Sequence, residues 1–238
     1  FWLKHKRLRV LTASLAVAMS PPHIEKLLLG GGRYDTAILP ELEAHVEEQL
    51  KNGTNDVEAN LAILKLYLLV PELTNPKVIE GILVKAVLAF PATDFSLCMY
   101  QIQTGVCEKH AGLQEVVKLA NLLEMTKFRT FWSTVDSGAT VLDTAANWRE
   151  AVRDFICGVV QSTYQTIQVQ QLVDLLNLPA TEIENVVKER GWTRSKEDKN
   201  TIIVSTISFD RPEPKVEVAS SPAMSLDQYR SLFLASKA

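Results

Sequence analysis

The side chains best suited to catalysis or metal binding are few and scattered. The histidines are His5, His23, His45 and His110, and no His-x-x-x-His or Cys-x-x-Cys pair sets two ligands on one helical face. Cys98, Cys107 and Cys157 each lie in an apolar helical setting, and none is read with a histidine partner at helical spacing. Three thiols cannot pair completely, so they fit the reduced, buried cysteines of a cytosolic protein better than a disulfide framework. No Gly-x-Ser-x-Gly elbow is present to expose an activated serine. Gly30-Gly31-Gly32 lacks the following Lys-Ser/Thr and the preceding strand of a phosphate-cradling loop, and reads as a flexible helix stop. Carboxylates are plentiful but fall at solvent-face spacing, with no two set apart as a catalytic pair. The expectation is a non-enzyme with no metal and no cofactor.

The elements that would position any site are mostly helices. With 238 residues and 47% hydrophobic content, the chain can bury one large core or two modest ones. A net charge of −3 argues against a surface built to neutralise phosphates. Residues 1–22 stand apart as an N-terminal extension. Lys4, Lys6, Arg7 and Arg9 precede an apolar run from Val10 to Ala18, the order of a targeting segment. That run is too short to span a bilayer comfortably; Met19 as the true start is the competing reading.

Residues 23–144 read as a helical-repeat domain. Leu39 to Asn52 is amphipathic, with Glu41, Glu43, Glu47 and Glu48 outside. Asn55 with Glu58 is expected to cap the next helix, whose apolar face carries Leu61, Leu64 and Leu68. Asn75-Pro76 restarts the pattern, since Pro is favoured at the first helical position. A shorter partner holds Phe95, Leu97, Cys98 and Ile102, and a third pair opens at Gly112. The pairs begin near residues 39, 76 and 112, a spacing in the range of helical-repeat stacks.

Residues 145–207 read as a bridging helix and a winged helix. The bridge, Ala145 to Ile167, is expected to be the longest helix, with a broad face of Trp148, Val152, Phe155, Ile156, Val159 and Val160. Val169, Leu172, Val173 and Leu176 make one helical stripe. Asn177-Leu178-Pro179 breaks it, and Thr181 with Glu184 is expected to form a capping box for a second helix. Gly191 suits that helix's left-handed stop. Trp192 to Ile207 then reads as a hairpin. The second helix, in the groove-reading position, carries Glu182, Glu184 and Glu189 against Lys188 and Arg190, a poor surface for base edges and phosphates. Protein contact is the remaining use, with the strand Thr201 to Val204 as an exposed edge for another sheet.

Residues 208–224 form a Pro- and Ser-rich linker. A final amphipathic helix is expected over 225–238, capped by Ser225 with Gln228, with Leu226, Tyr229, Leu232 and Phe233 on one side. A helix of that length is marginal alone and needs a partner surface. The interface candidates are therefore Ile202, Val204, Leu226, Tyr229, Leu232 and Phe233.

The order of parts resembles the PCI-domain family: mainly α, a HEAT/TPR-like helical-repeat stack followed by a winged helix, here with a C-terminal amphipathic helix. More narrowly, several segments resemble the subunit-k family of eukaryotic translation initiation factor 3. They are Asp56 to Tyr67, Thr93 to Cys98, Leu122-Leu123-Glu124 with Phe131-Trp132, Val152 to Cys157, Thr163-Tyr164-Gln165 and Gly191-Trp192, in order over about residues 55–205. The resemblance implies a cytoplasmic scaffold subunit of that factor, with the other subunits as partners and subunit l nearest. It further implies contact with the small ribosomal subunit through the complex, and neither a membrane nor a sequence-specific nucleic acid as a direct partner. The competing functions are a PCI subunit of the proteasome lid or the COP9 signalosome, and, more distantly, a winged-helix nucleic-acid binder.

Overall fold

The computed structural model describes residues 21–205, apart from 104, 196, 197 and 199. Helix follows helix through the first two thirds: α1 (Pro22–Leu28), α2 (Leu39–Asn52), α3 (Val57–Leu69), α4 (Pro76–Leu88), α5 (Asp94–Gln101), α6 (Val106–Lys109), α7 (Ala111–Glu124) and α8 (Phe128–Asp136). Pairs α2/α3, α4/α5 and α7/α8 pack internally and on one another, the stack that the spacing of residues 39, 76 and 112 predicts. At the start of α4, the Asn75 side chain accepts from the Lys77 N–H at 3.1 Å and Pro76 takes the first turn. Gly53 closes α2 at φ 71°, in the left-handed region that glycine enters without steric cost.

The cap of α3 differs from expectation. Asp56, not Asn55, holds the N-cap, its Oδ1 accepting from the Ala59 N–H at 3.1 Å. Both side chains suit the position, and tertiary partners decide: Asp56 Oδ2 lies 3.1 Å from His45 Nε2 on α2. Asn55 instead donates to Asp94 Oδ2 at 2.9 Å. The inward face of α3 buries Leu64 as expected but also takes in Ile63, Leu66 and Tyr67, while Leu68 is 46% exposed.

α4 is the centre of the core. Ile79, Ile82, Leu83, Val84, Ala86 and Val87 are all buried, against α2, α3, α5 and α7. One continuous cluster of buried side chains runs from Ile24 through Phe131 to Val204. The helical repeat and the winged helix thus share one compact unit, which closes at Ser205.

The bridge is α9 (Trp148–Thr163), which presents Trp148, Val152, Ile156 and Val160 inward. It remains the longest helix among the described residues but stops short of Ile167. Residues Thr166–Gln168 form a strand, β1, because Ile167 pairs with Ile202 on the far side of the winged helix. Next come α10 (Val169–Leu176), α11 (Ala180–Arg190), β2 (Thr193–Arg194) and β3 (Thr201–Ile203). The expected capping box at Thr181 and Glu184 does not form. α11 begins two residues earlier, with Pro179 at the cap (φ −64°, ψ 149°) and no side-chain cap bond; the proline ring already sets the entry angle. Gly191 ends α11 at φ 69°, as its position predicts.

Candidate protein-interaction site

The wing is a three-stranded antiparallel sheet of order β1-β3-β2, which changes the expected interface. β3 is the central strand, so Thr201 to Val204 offers no free edge. Ile202 is fully buried and Val204 is nine-tenths buried, and the Val204 N–H donates to the Gln165 carbonyl at 2.8 Å. Neither side chain is available to a partner of the folded chain. Register supplies the reason. Ile202 stands opposite Ile167 and Arg194, while Ile203 stands opposite Thr166 and Thr193. Neighbours across a sheet share a face, so the buried Ile167–Ile202 row lies on the side of α10. The row Thr193–Ile203–Thr166, with Gln168 and Thr201 beside it, turns outward. The edges among the described residues are β1 and β2. Leu226, Tyr229, Leu232 and Phe233 lie outside the described residues.

Around the wing, the two arginines on and beside α11 are engaged within the chain, while Lys188 of α11 is exposed. Arg190 pairs with Asp154 of α9, and Arg194 with Glu184. At the hairpin tip, Asp198 accepts from the Asn200 N–H at 2.9 Å and the Thr201 hydroxyl at 2.8 Å, and these bonds hold its carboxyl below the usual range. Guanidinium groups tied to carboxylates are poor ligands for phosphates, since binding would have to break each pair first.

No three His, Cys, Asp or Glu side chains among the described residues gather as a metal site. Contrary to expectation, one cysteine does have a histidine at helical spacing: Cys107 and His110 are three apart. His110 has left α6, however, with φ −119° and ψ 118°, so the pair does not share a helical face. An open groove of about 450 Å³ beside α6 and α7 is lined by Cys107, Val117, Leu122 and Met125 together with Glu108, Gln114, Lys118 and Asn121, and the surface it exposes is almost wholly apolar. Burial pushes the Cys98 thiol up to about 12 and the Cys157 thiol to about 11, and raises Cys107 as well. Thiolate is the nucleophile, so native protein at pH 8 should lose only the half-buried Cys107 to iodoacetamide, and slowly. Peptide mass mapping would show Cys98 and Cys157 alkylated only after unfolding.

Comparison with known proteins decides between assemblies that share this architecture. The family model described as CSN8/PSMD8/EIF3K matches residues 73–215. A Danio rerio protein named eukaryotic translation initiation factor 3 subunit K is 35% identical over 196 residues, covering 82% of this chain and 89% of the relative. The chain belongs to the CSN8/PSMD8/EIF3K family. The Culex quinquefasciatus and Homo sapiens proteins of the same name are 37% and 35% identical, over 76% and 82% of this chain and 81% and 89% of their own lengths. The family match takes in α4 to α9 and all of the winged helix. No described helix is long and apolar enough to cross a membrane.

Proposed function

We propose that this chain is a non-catalytic scaffold subunit of eukaryotic translation initiation factor 3, working in translation initiation on the small ribosomal subunit. The observation that carries this is family membership together with relatives, all named as subunit K of that factor, that align over most of both chains. Those names also set aside the proteasome lid and the COP9 signalosome, which use the same architecture. The paired state of Arg190 and Arg194 speaks against free nucleic-acid binding. The chain works in the cytoplasm, reaches the ribosome through the complex, and has subunit l as its nearest partner.

Two surfaces serve assembly in this reading. One is the outward face and edges of the wing sheet, where an added strand or a flat partner meets Thr193, Ile203 and Thr166. The other is the terminal amphipathic segment, whose Leu226, Tyr229, Leu232 and Phe233 fall on one side. The test is affinity purification of the tagged chain from cytosol, with mass spectrometry of its companions. Initiation factor 3 subunits, with subunit l most abundant, are expected; lid or signalosome subunits, or a lone chain, would overturn the assignment. In the same assay Leu232→Glu with Phe233→Glu should cut recovery of the other subunits about tenfold or more, because two buried charges exceed what an interface tolerates. Unchanged recovery would remove the terminal segment from the interface.

A further inference from the structure

The end of α10 is completed by side chains that do not belong to the winged helix. The last carbonyls of a helix have no partner within it, and a Schellman turn or a polar side chain normally supplies one. Here the Asn177 N–H bonds to the Val173 carbonyl, with Asn177 at φ 49°. The Leu175, Leu176 and Asn177 carbonyls look to the helical repeat and the bridge. The Trp132 indole Nε1 of α8 donates to the Leu175 carbonyl at 2.9 Å. Arg153 of α9 donates from Nε to the Leu176 carbonyl and from Nη2 to the Asn177 carbonyl, both at 3.1 Å. Arg153 also lies over the Trp132 ring, 5.5 Å from its centroid, and Trp132 stacks on Trp148 at 6.1 Å. Two outer ties flank this centre: Asn177 Nδ2 to Asp136 Oδ2 at 3.1 Å, and Arg129 to Asp174 at 2.8 Å.

We infer that Trp132 and Arg153 are positioning residues that fix the angle of the winged helix on the stack. Apolar packing between helices tolerates small rotations and slides. Three carbonyls that must each meet a donor in direction do not, because hydrogen bonds weaken steeply off axis. The cation also sits at the negative end of the α10 dipole, where it is favoured. A turned winged helix would strand the Leu175, Leu176 and Asn177 carbonyls together with the guanidinium. The unit thus behaves as a rigid strut that presents the wing sheet at one set angle. Its importance for assembly rests on the scaffold reading above; the rigidity itself does not.

The experiment uses the full chain with Cys107→Ser, and spin labels at Tyr100→Cys on α5 and Thr193→Cys on β2, both exposed in the structure. Pulsed dipolar spectroscopy should give one narrow distance distribution, which Trp132→Phe with Arg153→Met broadens about twofold. Exchange protection of α4 amides reports whether the stack is still folded. Should that pair of substitutions unfold the chain, Arg153→Met alone, which keeps the Trp132 bond to the Leu175 carbonyl, should broaden the distribution in the same direction. An unchanged distribution in a folded variant would overturn the positioning role. In affinity purification the folded variant should recover about tenfold less of the complex, the weakening that about 1.4 kcal/mol of lost preorganisation produces. Full recovery despite a broadened distribution would overturn the claim that assembly needs the fixed angle. Failure of the scaffold reading is distinct, because the unsubstituted chain would then recover no factor subunits.

Discussion

Lys85→Met is expected to make the protein more stable, by about 2 kcal/mol at pH 7. Lys85 lies in α4 and is only 3% exposed; no carboxylate among the described residues pairs with it. Burial alone pulls its ammonium from 10.5 down to about 8. The sign follows from proton counting. Between pH 8 and 10.5 the unfolded chain holds this proton and the folded chain releases it, so stability rises with pH across that window. Below pH 8 both states are protonated and the burial penalty is present in full. Methionine keeps the unbranched shape and removes the charge. Urea unfolding at pH 7 and again near pH 10 checks both parts. The variant's midpoint should lie above that of the parent at pH 7, and the two should converge at the higher pH. A variant less stable at pH 7 would mean that the ammonium has a favourable role.

Gln49→Leu should act in the opposite direction and cost about 3 kcal/mol. Gln49 is 1% exposed and serves three buried groups. Its Oε1 accepts from the Asp56 N–H at 2.8 Å and from Asn60 Nδ2 at 3.2 Å, and its Nε2 donates to Asn60 Oδ1 at 3.1 Å. With His45 on Asp56, these bonds seam α2 to α3. Leucine matches the volume approximately but strands the partners, and a stranded buried group loses its full desolvation energy. Adding Asn60→Leu removes the second orphan and should recover about half of the loss, since residues of one network do not behave additively. The Asp56 N–H stays unpaired in both variants, so recovery is incomplete. Denaturant midpoints of the two singles and the double give the coupling directly. A Gln49→Leu cost below about 1 kcal/mol would show that the seam contributes little.

That seam illustrates where pattern and structure part. Leu42, His45, Val46 and Gln49 lie along one stripe of α2, and all four are buried. Apolar periodicity registers only two of them, so the stripe reads as narrow and its polar members as surface. The positions that announce chain reversals were legible: Asn75-Pro76 and Gly191 act locally, through φ and hydrogen bonds to near neighbours. So were the repeat and the winged helix as units, because each needs only a stripe and a stop. β1 was not legible, since a three-residue strand is defined by its partner and Thr166-Ile167-Gln168 equally extends a helix. The face of β3 failed for a related reason. Both alternating sets, Thr201 with Ile203 and Ile202 with Val204, are β-branched, and only pairing with Ile167 decides which set is buried. A wrong phase by one residue exchanged core for surface.

The strand order β1-β3-β2 also dictates when each part of the molecule can exist. The stack is built from helices that touch near neighbours in the chain, so it can form progressively as the polypeptide is made. The sheet cannot. Ile167 is synthesised before both winged-helix helices, yet its partner Ile202 comes after them. Until that partner arrives, Ile167 has no strand beside it and the face of α10 lacks its cover. Closing so long a loop makes wing formation the late and slow event. A truncation before Thr201 leaves β1 without its partner strand and Ile167 uncovered, a template for association with other chains.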